Sequence, residues 1–189
     1  MTLEVVEADV ARLMAAVQEY YVSAESHEIL PNGGRVFQNA GLPPNGLLSP
    51  LSTEQVSELA ALLDDIKPGL GELGLATYLP YLLSFNGLQL LNGDFFLYGL
   101  SSPRSVNVED YGWYPEDLAR RNYYDRVEGI GVDELIVGGA HDPGYFVTMT
   151  RECVFLHPRE NAKSRISKRG LCDVWEFLLC ERDHLANRA

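Results

Sequence analysis

The sequence predicts an α+β domain: a mostly antiparallel sheet of short strands with helices at its margins, preceded by an N-terminal helix and a long irregular connector. Apolar residues recur at helical spacing near both ends of the chain, and short β-rich runs cluster between residues 95 and 157. Those runs do not alternate one for one with helices, as a parallel sheet would require. At 189 residues the chain has the size of one domain, enough to bury roughly 70% of the surface its unfolded form exposes.

Val6, Val10, Leu13, Met14, Val17 and Tyr21 fall three and four apart, with Glu4, Glu7, Asp9 and Arg12 between them, which predicts an amphipathic helix over 4–22. Residues 23–51 break the period with Pro31, Asn32-Gly33-Gly34, Pro43-Pro44-Asn45-Gly46 and Pro50, so this stretch is expected to be an irregular connector with at least two turns. Residues 1–51 are expected to pack on a main domain formed by 52–189.

Ser52 stands before Val56, Leu59, Leu62, Leu63 and Ile66, and Gln55 lies three residues on, the spacing of a capping box; Pro68 and Gly69 should stop this helix. In 76–86, Pro80 suits the first turn of a short helix, where its missing N–H is not needed, and Gly87 suits the stop. Phe95–Tyr98 reads as a strand, and 115–126 as a helix opened by Pro115 and anchored by Leu118. Glu134–Val137 reads as a strand ended by Gly138-Gly139. Tyr145–Thr150 and Cys153–His157 read as two more, joined by a turn at 150–152. Leu171, Val174, Trp175, Leu178 and Leu179 predict a closing helix to about residue 186.

The formal charge of −12 is uneven: −7 over residues 1–67, −7 over 68–150 and +2 over 151–189. Such a surface repels nucleic-acid phosphate and anionic lipid and favours a basic partner. The basic run Arg159, Lys163, Arg165, Lys168, Arg169 reads as a solvated loop leading into the last helix. Acids occupy the positions where a secretory leader carries bases, and no apolar run approaches the roughly 18 residues of a membrane span. Three sparse cysteines, Cys153, Cys172 and Cys180, argue for a reducing compartment. A cytoplasmic protein is expected.

No metal is expected, since neither C-x-x-C nor H-x-x-x-H spacing occurs, and Cys153 and His157 lie about 13 Å apart if extended on one strand. Cys153 could meet His141 or His157 as a nucleophilic pair, but its place in an apolar strand suits a packed thiol better. No nucleotide-binding or hydrolase fingerprint is present, and the glycines of 138–144 suit turn geometry. Cys172, Glu176 and Cys180 share one face of the closing helix, at the edge of its apolar stripe. Glu109, Asp110, Tyr111, Trp113 and Tyr114 form an acidic aromatic cluster suited to a basic partner, or alternatively a loop anchored in the core by Trp113.

Leu79-Pro80, then Leu82-Leu83, then Asn86-Gly87, resemble the SUKH superfamily, whose fungal members are cell-wall-synthesis regulators and whose bacterial members are largely immunity proteins. The later features keep the same order: Glu116-Asp117-Leu118 to Asn122, the strand Leu135–Val137 with its glycines to Gly144, the pair of strands at 145–157, and the helix around Trp175-Glu176-Phe177-Leu178. The resemblance spans about residues 52–186, with 88–114 departing from it. It implies an α+β fold and a non-enzymatic, cofactor-free role, the stoichiometric binding of a toxin domain, often a nuclease, with Asn86 and Gly87 fixing a turn. A second reading is an intracellular regulatory or scaffold module for endogenous signalling proteins. A third is an enzyme using Cys153 and a histidine.

Overall fold

Nine short strands, among the described residues, pair in the order in which the chain makes them. The computed structural model describes residues 2–30, 33–42, 44–91, 94–100, 118–123, 126–141 and 144–186, with side chains as far as residue 182. The strands are β1 (Ser26–Ile29), β2 (Arg35–Gln38), β3 (Asn45–Leu47), β4 (Leu88–Leu90), β5 (Phe95–Leu97), β6 (Leu135–Ala140), β7 (Tyr145–Met149), β8 (Val154–Pro158) and β9 (Ile166–Lys168). Each lies antiparallel to its chain neighbour in one sheet, from β1 at one edge to β9 at the other. The fold class is α+β.

The segment 23–51 is not the irregular connector expected. It contributes three strands, with Gly33 in the left-handed region at the β1–β2 turn and Gly46 and Leu47 of β3 paired to Gln89 and Leu88 of β4. The sheet therefore runs through the expected boundary between 51 and 52.

Six helices, among the described residues, accompany the sheet: α1 (Leu3–Val22), α2 (Thr53–Ile66), α3 (Leu70–Thr77), α4 (Leu79–Leu82), α5 (Leu118–Tyr123) and α6 (Leu171–Ala186). α2 starts with the capping box the sequence predicts: Gln55 N–H donates to Ser52 Oγ and the Gln55 side chain accepts from Ser52 N–H. Two of the helix's orphan donors are thereby satisfied. Pro80 sits in the first turn of α4, as expected. Gly87 does not end that helix: it lies beyond it with φ +84° and turns the chain into β4. α3, β4 and β9 have no counterpart among the sequence expectations, and β9 falls inside the basic run read as a loop. Of the helix expected over 115–126, the described part is α5; Pro115 lies outside the described residues.

All six residues of β6 are buried, and successive strand residues point to opposite faces, so both faces of the sheet are covered there. α3 and α5 pack on β6, and α6 packs on β8 and β9. β6 does not end at Gly138-Gly139 but runs through them, with a register shift between Ile136 and Gly138. A Cβ on Gly138 would stand 2.3 Å from the Phe96 carbonyl oxygen, and one on Gly139 2.8 Å from that of Tyr145. These glycines permit close strand packing; they do not form a turn.

α1 lays Val6, Leu13 and Val17 in the core, each burial stabilising by about 2 kcal/mol. Trp175 of α6 joins the layers, 5.8 Å from the Tyr20 ring of α1 and 5.9 Å from that of Phe95 in β5.

Candidate functional site

Beside its buried stripe, α1 carries a second one. Leu3, Glu7, Val10 and Met14 recur at four, three and four residues, so they share one side of the helix. With Val56 and Ser57 of α2, Leu75 of α3, and Leu79, Pro80 and Leu83 at α4, they line a furrow of about 650 Å³. Leu79 is fully buried at its base, whereas Leu75 and Leu83 keep 47% and 46% of their surface in solvent. Leu-Pro thus has two tasks: Pro80 starts a helix only four residues long, and Leu79 closes the furrow against the core. Glu7 is the charged residue in the lining, and Glu4, Glu54 and Glu58 are exposed on the same two helices.

The other side of α1 is fixed to α6. Asp9, which periodicity places on the polar face, is buried, and its Oδ2 accepts from Tyr81 Oη at 2.6 Å, Leu171 N–H at 2.7 Å and Cys172 N–H at 3.2 Å. It therefore caps the first turn of α6 from a distant helix. Gly170 leaves room for it, since a Cβ there would fall 2.2 Å from Asp9 Oδ1. Arg12 reinforces the contact with ion pairs to Asp173 at 3.0 Å and Glu176 at 2.9 Å.

A second polar cluster lies within the sheet. His157 of β8 places Nδ1 2.7 Å from the Ala162 carbonyl oxygen, which can only accept, so that nitrogen carries a proton. Its Nε2 faces Glu134 Oε2 at 2.8 Å and Thr148 Oγ1 at 3.0 Å, while Thr148 donates to the same carboxylate oxygen. Arg165 reaches in from the surface to Glu134 Oε1 at 3.0 Å, stacked 4.1 Å above the Phe155 ring. Glu134, Thr148 and His157 are all buried, and their partners tie β6, β7 and β8 together.

Asn86 and Gly87 lie at the bend that leads into β4, where Asn86 is tied to a distant segment. Asn86 Oδ1 accepts from Leu100 N–H at 2.6 Å and its Nδ2 donates to Leu100 O at 2.9 Å, while Gly87 takes a φ of +84°. Asn122 acts similarly on β6, accepting from Ile136 N–H at 3.0 Å and donating to Ile136 O at 2.9 Å.

The expected partner-binding cluster Glu109, Asp110, Tyr111, Trp113 and Tyr114 lies outside the described residues. Cys153 and His157 are not assembled as a pair: the thiol lies 3.9 Å from Thr150 Oγ1, and the imidazole is engaged by Glu134 and Ala162. His141 stacks instead on Phe96, with ring centroids 4.9 Å apart. Cys172 is buried beside Glu176 Oε1 at 3.7 Å, and Cys180 is exposed. Among the described residues, no group of three or more His, Cys, Asp or Glu is placed to hold a metal ion, and no helix is long and apolar enough to cross a membrane. No family model, curated protein or solved structure compared with the chain matches it.

Proposed function

We propose that this chain is a protein-binding domain of SUKH type, most simply an immunity protein that neutralises a toxin effector domain by stoichiometric binding in the cytoplasm. The observation that carries the reading is the helical face, where an apolar furrow between α1, α2, α3 and α4 has Glu7 in its lining, while Glu4, Glu54 and Glu58 are exposed elsewhere on α1 and α2. A basic effector domain, such as a nuclease, would be drawn to that face by charge and held by apolar contact. The order of Leu79-Pro80, Asn86-Gly87 and Asn122 along the chain supports the same reading, and Asn86 and Asn122 have structural work consistent with it.

Co-expression in a bacterial host of this chain with the product of each adjacent gene tests the proposal. Toxicity relieved by this chain, together with a one-to-one complex that weakens as salt rises, is the expected result. Capture from the native host of endogenous signalling proteins alone, with no toxic neighbour, would instead identify a regulatory module.

A further inference from the structure

We infer that the furrow seats an amphipathic helix of the partner, with an apolar stripe flanked by lysine or arginine. The inference rests on the binding reading above and adds to it the contact surface and the shape and charge of what occupies it. The shape argues for a helix. Four helices form the walls, and along α1 the furrow extends from Leu3 to Met14, about 16 Å at 1.5 Å per residue, or three turns of a guest. A helix presents an i, i+3, i+4, i+7 stripe to such a groove, whereas an added strand requires a sheet edge. The edges here are β1 and β9, and neither borders the furrow.

The charge of the guest follows from its border. Residues 36–103 contain one basic side chain, Lys67, and its ammonium donates to the Val132 carbonyl. Arg12, the base on α1, is turned to Asp173 and Glu176 of α6. A guest with flanking lysines would therefore meet the Glu7 carboxylate in the lining, with the other acids of α1 and α2 adding to the field, whereas an acidic guest would be repelled. Two copies of this chain set face to face would press the same carboxylates together, and an anionic lipid surface would face the same repulsion. The apolar part of the contact is in place, since Leu3, Leu75 and Leu83 each expose about half of their surface at the furrow.

The test uses the full chain and two labelled 18-residue synthetic helices with the same leucine stripe, one flanked by lysines and the other by glutamates. Fluorescence anisotropy should show saturable one-to-one binding of the lysine peptide, about tenfold or more tighter than the glutamate peptide and weaker as salt rises. Leu83→Asp and Leu75→Asp, both at exposed positions, should each weaken it by about tenfold with the circular dichroism and unfolding midpoint unchanged. Glu7→Lys, a charge reversal inside the lining, should abolish or reverse the preference for the lysine peptide. Equal affinity for the two peptides, indifference to both aspartates, or a dimer of this chain that Leu83→Asp dissolves would each overturn the inference. Toxin protection retained in full by Leu75→Asp and Leu83→Asp would also overturn it while leaving the immunity reading intact. Absence of any toxin relieved by the unaltered chain would instead remove that reading.

Discussion

Tyr81 Oη lies 2.6 Å from Asp9 Oδ2, and the same oxygen receives the N–H groups of residues 171 and 172, so one buried carboxylate holds three elements together. Asp9→Ala leaves a buried hydroxyl and two helix N–H groups without their acceptor. The expected loss is about 3 kcal/mol, read from the urea midpoint at constant m-value. Asp9→Asn keeps one acceptor oxygen and should lose less. Equal stability of Asp9→Ala and the parent would show that water replaces the carboxylate.

Stability should be level through neutral pH and fall on the alkaline side. Burial raises the Tyr81 phenol well above its ordinary range, with the charge of Asp9 adding to it, and burial likewise raises Tyr78. Burial also pushes the Cys172 thiol up to about 11, against the opposing pull of Arg12 and with help from Glu176 and Asp9. All three are acids whose folded pKa exceeds the unfolded one, so their contribution is complete below the unfolded values and is lost as pH climbs through the folded ones. The decline should begin near pH 9, where unfolded cysteine ionises, and steepen above about 10, where tyrosine does. Tyr81→Phe should lower stability at pH 7 and make the alkaline limb shallower. At pH 8 Ellman's reagent should modify exposed Cys180 quickly and buried Cys172 only on unfolding.

Two glycine replacements should differ sharply. Gly138→Ala drives a methyl toward the Phe96 carbonyl oxygen, backbone that has no rotamer to yield with, and should cost about 3 kcal/mol or prevent folding. Gly41→Ala meets nothing within 4 Å, and only its φ of +77° opposes a side chain, a cost of about 1 kcal/mol. Thermal unfolding of the two variants side by side decides the point.

His157→Ala removes a buried partner from Glu134 and from the Ala162 carbonyl, with an expected loss of about 3 kcal/mol. Arg165→Ala acts on the same carboxylate from a half-exposed position and should cost about 1 kcal/mol. Reversal of this order in chemical denaturation would mean that the surface cation, and not the imidazole, keeps Glu134 folded in.

Sequence and structure agree wherever a local pattern decides the conformation. Ser52 and Gln55 cap α2 because both partners of the capping box lie within one turn, and Val6, Leu13 and Val17 face inward because their spacing requires it. They part where distant residues decide. Arg35–Gln38 and Asn45–Leu47 become strands through their pairing with β1, with each other and with β4, some forty residues on; each run is only three or four residues long and lies between Pro and Gly positions, too short to announce itself. Gly138 and Gly139 resemble a turn until β5 and β7 are laid against them. Asp9 looks like one acid among several on a polar face, and nothing local signals that Tyr81 and residue 171 will enclose it. The furrow was half legible: Leu79 and Pro80 stand out as a motif, but their pairing with Leu3, Val10 and Met14 needs the packing of α1.

The sheet's strict chain order means that a ribosome can release its strands one after another, each finding its neighbour already in place. The clasp at Asp9 follows another schedule. Its two amide donors belong to residues 171 and 172, so Asp9 has Tyr81 alone of its three donors until the first turn of α6 has been made. α1 is thus fully secured only when α6 arrives, and a stalled or truncated product ending before α6 would carry an open seam along α1 for quality-control proteases to find.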